Sequence, residues 1–226
     1  MDEMTTEFHN QPLTLELLLR EAAQFAAHES THDEPNLYGV TDGKAVGTYL
    51  EQKFRLHLLQ NYTFVQGNSA AGIDFPGLGI DMKVTSVRQP QSSCPYSSAR
   101  QKIYGLGYGL LVFVYDKSDD RAAQTSRLNI LHTIYIAPER TGDYQMTRGI
   151  RQLLANDANQ EDLVAFMLDR NLPVDEIAAR NLAEELLLNP PSQGYLTISN
   201  ALQWRLQYGR AISQAGLVDG VYRVQL

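Results

Sequence analysis

An α/β fold, with a central mixed β-sheet flanked by helices, is predicted by three observations. Residues 110–115 form a continuous apolar run far too short to cross a bilayer, which suits a buried strand. Apolar residues recur at helical spacing in segments on both sides of that run. Between the first helical segments and the run, residues 72–87 read as a β-hairpin closed by a glycine turn.

The elements follow in order. Thr14 is placed to cap a helix over residues 15–27, whose apolar stripe is Leu15, Leu18, Leu19, Ala22, Phe25 and Ala26. A polar break over 28–39 precedes a second helix over 44–60. The hairpin comes next, with arms at 72–75 and 80–87 and a two-residue turn at Gly77-Leu78. Glycine in first position of that turn suits type II′ geometry. A polar loop over 88–95 leads to a short helix over 97–104, then to strands over 109–115 and 128–136. Helices are predicted over 139–155, 160–170 and 174–188, the last stopped by Pro190-Pro191. Ser199 is a cap for a final helix over 200–214, with Gly216 beyond its end, and residues 221–224 are a closing strand. Length and continuity favour one domain over residues 1–226, with a core at about 41–137 and a helical part at about 139–226.

Composition narrows the function classes. The single cysteine, Cys94, excludes an intramolecular disulfide and fits a reducing, cytoplasmic setting. The acidic first residues lack a following apolar stretch, so neither a signal peptide nor a membrane association is expected. The net charge of −7 argues against a large nucleic-acid footprint. Residues 83–127 are the exception. They carry 7 basic and 3 acidic side chains, a local excess suited to phosphate.

The most informative stretch is Gly72-Ile73-Asp74-Phe75-Pro76-Gly77-Leu78-Gly79-Ile80-Asp81-Met82-Lys83. The hairpin register pairs Phe75 with Ile80 and Asp74 with Asp81, and Lys83 points the same way as Asp81. Two close carboxylates repel unless a cation lies between them, and Mg²⁺ accepts such oxygens while keeping waters that can be activated. The plain alternatives are a solvated polar face, or Lys83 neutralising the two aspartates as an ion pair. Glu51 falls in the apolar stripe Gly47, Leu50, Phe54, Leu58 of the second helix, where a carboxylate is costly without a partner. It is either a third acid aimed at the same ion or a marginal residue paired with Arg55.

Glu51 on a helix, then Asp74, then Asp81-Met82-Lys83, resembles the catalytic signature of the PD-(D/E)xK nuclease superfamily. The segment Ser86-Val87-Arg88-Gln89-Pro90-Gln91-Ser92-Ser93, the stretch Ala99-Arg100-Gln101-Lys102-Ile103-Tyr104-Gly105 and the apolar strand are similar to type II restriction endonucleases of that superfamily. The first acid follows Ile73 where the signature has proline. The resemblance implies a restriction-endonuclease-like fold, Mg²⁺ held by Asp74 and Asp81 with Glu51 in support, and Lys83 acting on the attacking water and the phosphate. It further implies cleavage of double-stranded DNA at a short specific site by a homodimer. A DNA repair or junction-resolving nuclease of the same superfamily is the nearest alternative.

Arg88, Gln89, Gln91 and Ser92 in the polar loop, and Arg100, Gln101 and Lys102 on the following helix, are candidate DNA contacts. Arginine and lysine meet phosphates or guanine, and glutamine meets adenine. A solvated loop and helix face is the competing reading. From another class comes His28-Glu29-Ser30-Thr31-His32, which satisfies the HExxH pattern of zinc peptidases with Glu51 as a downstream ligand. Such histidines need a continuous helix, and the polar residues and Pro35 that follow read as a helix end.

Overall fold

The computed structural model describes residues 11–67, 72–198 and 205–225. In chain order the described elements are β1 (Gln11–Pro12), α1 (Leu15–Glu29), β2 (Asp33–Glu34), α2 (Gly43–Leu59), β3 (Tyr62–Thr63), β4 (Ile80–Ser86), β5 (Gln91–Ser93) and α3 (Ala99–Tyr104). Then come β6 (Gly109–Asp120), β7 (Thr125–Ile136), α4 (Tyr144–Ala155), α5 (Gln160–Asp169), α6 (Glu176–Leu188), β8 (Thr197–Ile198), β9 (Arg205–Gln207), α7 (Gly209–Gln214) and β10 (Val221–Arg223).

The main sheet runs β10-β7-β6-β4, with β2 added beside β7. It is mixed: β4 pairs with β6 in parallel, and the β6–β7 and β7–β10 pairs are antiparallel. Both faces of β6 are covered. Leu111, Phe113 and Tyr115 join the α1 and α2 side chains in one apolar cluster. Leu110, Val112 and Val114 join Leu206, Tyr208 and Ala211 in a second. A strand covered on both faces is apolar without alternation, which is why this run was so plain in the sequence. Phe54 lies 5.2 Å from Phe113 and 5.0 Å from Phe25, tying both helices to the sheet. A third cluster unites Ile103 of α3 with Ile150, Leu163 and Leu186 of α4 to α6.

Several expectations are corrected. The turn before β4 is not a two-residue type II′ turn. Phe75 and Ile80 exchange backbone hydrogen bonds of 2.9 and 3.2 Å around the four residues Pro76 to Gly79. The positive φ falls on Gly79, at 62°, and Gly77 has none. Pro76 fixes its own φ near the value of a common turn, and Gly79 absorbs the left-handed step that returns the chain. The register at Phe75 and Ile80 is the expected one, but it is a single bridge and not a strand arm. The polar loop after β4 contains β5, which pairs with β9. The helix expected from residue 139 starts at Tyr144. Pro138–Arg140 is a 3-10 turn, and the Asp143 side chain accepts from Met146 N–H to cap α4. The predicted helix over 200–214 is instead β9 and the short α7, because Leu206 is buried between exposed Arg205 and Gln207, a strand period. Ser199, the expected cap of that helix, and residues 200–204 lie outside the described residues.

Candidate active site

Asp74 sits just before the four-residue turn, and its carboxylate is held from two sides. Its Oδ2 accepts from Met82 N–H at 2.9 Å and its Oδ1 from Arg55 Nη2 at 2.8 Å. Asp81 and Lys83 follow on β4, the edge strand of the main sheet as described, and point to the same face because they are two residues apart. Asp81 is only 3% exposed, with Lys83 Nζ 2.6 Å from its Oδ2 and the Asp74 carboxyl within hydrogen-bonding reach. Ile80 and Met82 point the other way, into the α1–α2 cluster. That apolar anchoring fixes which face the charged side chains take.

Glu51 reaches the pair from α2, one turn after Gly47. Burial pushes the Glu51 carboxyl up to about 7, and Asp74 and Asp81 add to the rise while Lys83 and Arg55 oppose it. Burial also pushes Asp81 up, against the pull of Lys83, with Asp74 as the neighbouring carboxyl. Asp74 is thus paired with Arg55 and Asp81 with Lys83, and Glu51 is a third acid beside them that is only partly ionised at neutral pH. Glu51 does not pair with Arg55, the plain alternative for that residue; Arg55 is spent on Asp74.

The cluster opens into a cleft. Glu51 and Lys83 border both a pocket of about 330 Å³ over Asp74 and Asp81 and a larger one of about 630 Å³. The larger pocket is walled by Lys44 and Thr48 of α2 on one side and by Gln89, Gln91, Ser92 and Arg205 on the other. Among the described residues, no group of three His, Cys, Asp or Glu side chains is gathered closely enough to enclose a metal ion. The nearest donor set is the aspartate pair, with Glu51 outside it.

The other sequence candidates separate into two groups. Gln89, Gln91 and Ser92 line the cleft, and Arg88 is an exposed neighbour 3.6 Å from Asp116. Arg100, Gln101 and Lys102 do not face it. Arg100 forms a fork on Glu185 of α6 with contacts of 2.5 to 3.1 Å. Gln101 Oε1 accepts from Ser97 N–H and Oγ, and Lys102 is buried with its charge disfavoured by desolvation. The reason is that α3 packs into the helical cluster through Ala99 and Ile103, and none of these three side chains lines the cleft.

The HExxH stretch lies at a helix end, as the polar residues and Pro35 after it implied. The helix ends at Glu29, between the two histidines. Glu29 is buried, bonded to Tyr49 Oη at 3.0 Å and Lys53 Nζ at 2.8 Å. His32 Nε2 is 3.3 Å from Glu34, and His28 is exposed. The residue that would act as base is a structural ion-pair partner, and Glu51 faces the aspartates.

Sequence reasoning missed Arg55 as the clamp on Asp74, Thr85 behind the polar loop, and Tyr108 and Tyr208 near Asp81. Thr85 lies one strand period after Lys83, a signal that was readable. Tyr208 and Arg205 come from the far end of the chain, where arginine interleaved with aromatics suggests contact with bases, but no local pattern announces their place beside β4.

A family model described as type II restriction enzyme NspV matches residues 12–223. Type II restriction enzyme NspV of Nostoc sp. (strain ATCC 29411 / PCC 7524) is 70% identical over 212 residues, which cover 94% of this chain and 96% of that protein. No solved structure matches.

Proposed function

The chain belongs to the NspV type II restriction enzyme family, and from that premise we propose that it hydrolyses one phosphodiester in each strand of a short, specific double-stranded DNA site with the help of Mg²⁺. The observation that carries this reading is the Asp74–Asp81 pair with Lys83 2.6 Å from Asp81, set at the mouth of a cleft lined by polar side chains that include Lys44, Thr48, Gln89, Gln91, Ser92 and Arg205. Membership of a restriction enzyme family favours this over the repair and junction-resolving alternatives. The repeated chemistry on two strands calls for two sites, so the working form is a homodimer, in the cytoplasm.

The donor set fits a hard divalent ion. Asp74 and Asp81 supply two close carboxylates, and Mg²⁺ is commonly held by one or two of these with waters completing its octahedron. A cation between them would offset the mutual repulsion of the two carboxylates. When bound, the ion supplies Lewis-acid stabilisation of the phosphate and a more acidic water. The protein's own groups do the rest. Arg55 and Met82 N–H fix the Asp74 carboxylate, so its lone pairs are pre-aimed. Lys83 is carried by a strand with an apolar anchor, which places its ammonium to meet a non-bridging phosphate oxygen as charge develops there. Glu51, with a carboxyl near 7, is poised to orient the attacking water and take its proton at neutral pH. As the water oxygen bonds to phosphorus, the bond to the leaving sugar oxygen breaks.

Incubation with phage DNA and Mg²⁺ tests the proposal. Discrete fragments that vanish with a chelator are expected; a smear, or no cutting, overturns it.

A further inference from the structure

We infer that the outer face of the small β5-β9-β8 sheet is the element that discriminates base pairs, with Gln91 and Gln207 reading adenine and Arg205 reading guanine in the major groove. This rests on the reading above, that the cleft takes double-stranded DNA.

The pairing register places these side chains. Gln91 lies opposite Gln207 and Ser93 opposite Arg205, while Thr197 lies opposite Gln207 on the other edge. Residues directly opposite share a face. The alternate set, Leu206 and Ile198, is buried in the second apolar cluster, and Ser92 turns inward to bond Tyr208 Oη at 2.6 Å. The outward set is therefore two amides, two hydroxyls and one guanidinium, with no carboxylate to repel DNA. Gln91, Ser93 and Arg205 border the same cleft as Lys83. A two-stranded ribbon fits the major groove, where glutamine pairs bidentately with adenine and arginine with guanine.

The sheet is also fixed relative to the hydrolytic residues. Thr85 shares the β4 face of Asp81 and Lys83 and is buried. Its Oγ1 accepts from Gln91 N–H at 2.9 Å and donates to the Gln91 carbonyl at 3.0 Å. Two strand residues span roughly 7 Å, and one DNA strand advances about 3.4 Å per base. Bases read by Gln91 thus lie within about two or three steps of the phosphate at Lys83. Ordinary surface polarity does not demand that placement.

The test uses duplex oligonucleotides carrying the site recovered by sequencing the wild-type fragment ends, together with versions in which each base pair is replaced in turn. Cleavage efficiency is compared among wild type, Arg205→Ala, Gln91→Ala and Gln207→Ala. All three side chains are at the surface, and a thermal melt confirms folding. Arg205→Ala is expected to lose about 10- to 100-fold discrimination at one G·C position, and the glutamine variants similarly at A·T positions, with other positions unchanged. Variants that keep wild-type discrimination at every position overturn the inference and leave the nuclease reading intact. An equal loss at all positions, with a shallower salt dependence, marks phosphate contacts and also overturns it. A wild type that makes no defined fragments overturns both.

Discussion

Lys83 stands 2.6 Å from a carboxylate that is itself buried, and in the proposed mechanism its ammonium acts on rate more than on affinity. Removing one group that stabilises transition-state charge costs on the order of a hundred- to thousandfold in rate. Binding draws on many contacts, so losing one changes it by roughly 1 kcal/mol. Lys83→Ala is therefore expected to stop detectable cutting in Mg²⁺ while gel-shift affinity, compared without metal, stays within several-fold of wild type. Cutting at the wild-type rate would reduce Lys83 to a charge-neutralising partner of the aspartates. Glu51 gives a second prediction. Its carboxyl rises from 4.5 to about 7 on folding, so between those values the folded chain binds more protons than the unfolded one. Stability from this group is complete below about 4.5 and is lost as pH rises through about 7. A divalent ion competes with that proton. Mg²⁺ should therefore raise the melting temperature more at pH 8 than at pH 6, by several degrees when the ion is at about 100 times its Kd. An equal shift at both pH values would place the ion elsewhere. At this scale the sequence was partly legible. The alternation Asp81, Met82, Lys83 announced its own face, whereas Arg55 clamping Asp74 depends on how α2 crosses the edge strand, which no spacing reports.

At the scale of elements, the cleft wall depends on how the segment after α6 is held. Gly194 lies against Gly142, and a Cβ at Gly194 would overlap the Gly142 carbonyl group, which is backbone and cannot swing away. Gly194 N–H donates to Thr147 Oγ1 at 3.0 Å, and two residues on Leu196 N–H donates to the Gly142 carbonyl at 3.2 Å. Asp143 completes the lock by accepting from Ile198 N–H at 2.9 Å, the start of the small sheet. An added methyl that forces backbone to move costs about 1–3 kcal/mol. In a chain of this length, Gly194→Ala should then lower the melting temperature by roughly 2–10 °C, measured by circular dichroism. An unchanged melt would show that the segment is free to shift. None of this was written in the local sequence. The helix expected from residue 139 ignored Gly142, and the helix expected over 200–214 ignored the strand period at Arg205, Leu206 and Gln207. Long amphipathic segments such as α1, α5 and α6 were legible because their caps, Thr14, Asn159 and Asp175, and their apolar stripes agree. Short strands that exist only through a distant partner were not.

At the scale of the whole molecule, charge must be counted in space and not along the chain. Residues 83–127 are the basic block of an otherwise acidic sequence, yet most of that excess is spent internally. Lys83 meets Asp81, Arg100 meets Glu185, Lys117 meets Asp119 and Arg127 meets Asp33, while Lys102 is buried. At the proposed site Asp74 and Asp81 are offset by Arg55 and Lys83, and Glu51, with a carboxyl near 7, adds negative charge as pH rises through neutrality. A phosphate entering there without a cation is repelled by those carboxylates. Nonspecific affinity, which scales with the number of phosphates neutralised by free lysine and arginine, should be weak and only shallowly salt-dependent. Specific affinity should need the divalent ion as a counter-charge. Lys83→Ala makes the comparison possible, because Mg²⁺ can then be added without cutting. Its affinity for a duplex bearing the recognition site is expected to rise at least about tenfold, roughly 1.4 kcal/mol, when Mg²⁺ replaces chelator. The same addition should change affinity for a scrambled duplex little. Tight metal-free binding with a steep salt slope would mean that an unpaired basic surface exists in the working protein and that charge, not the ion, brings the DNA to Asp74 and Asp81.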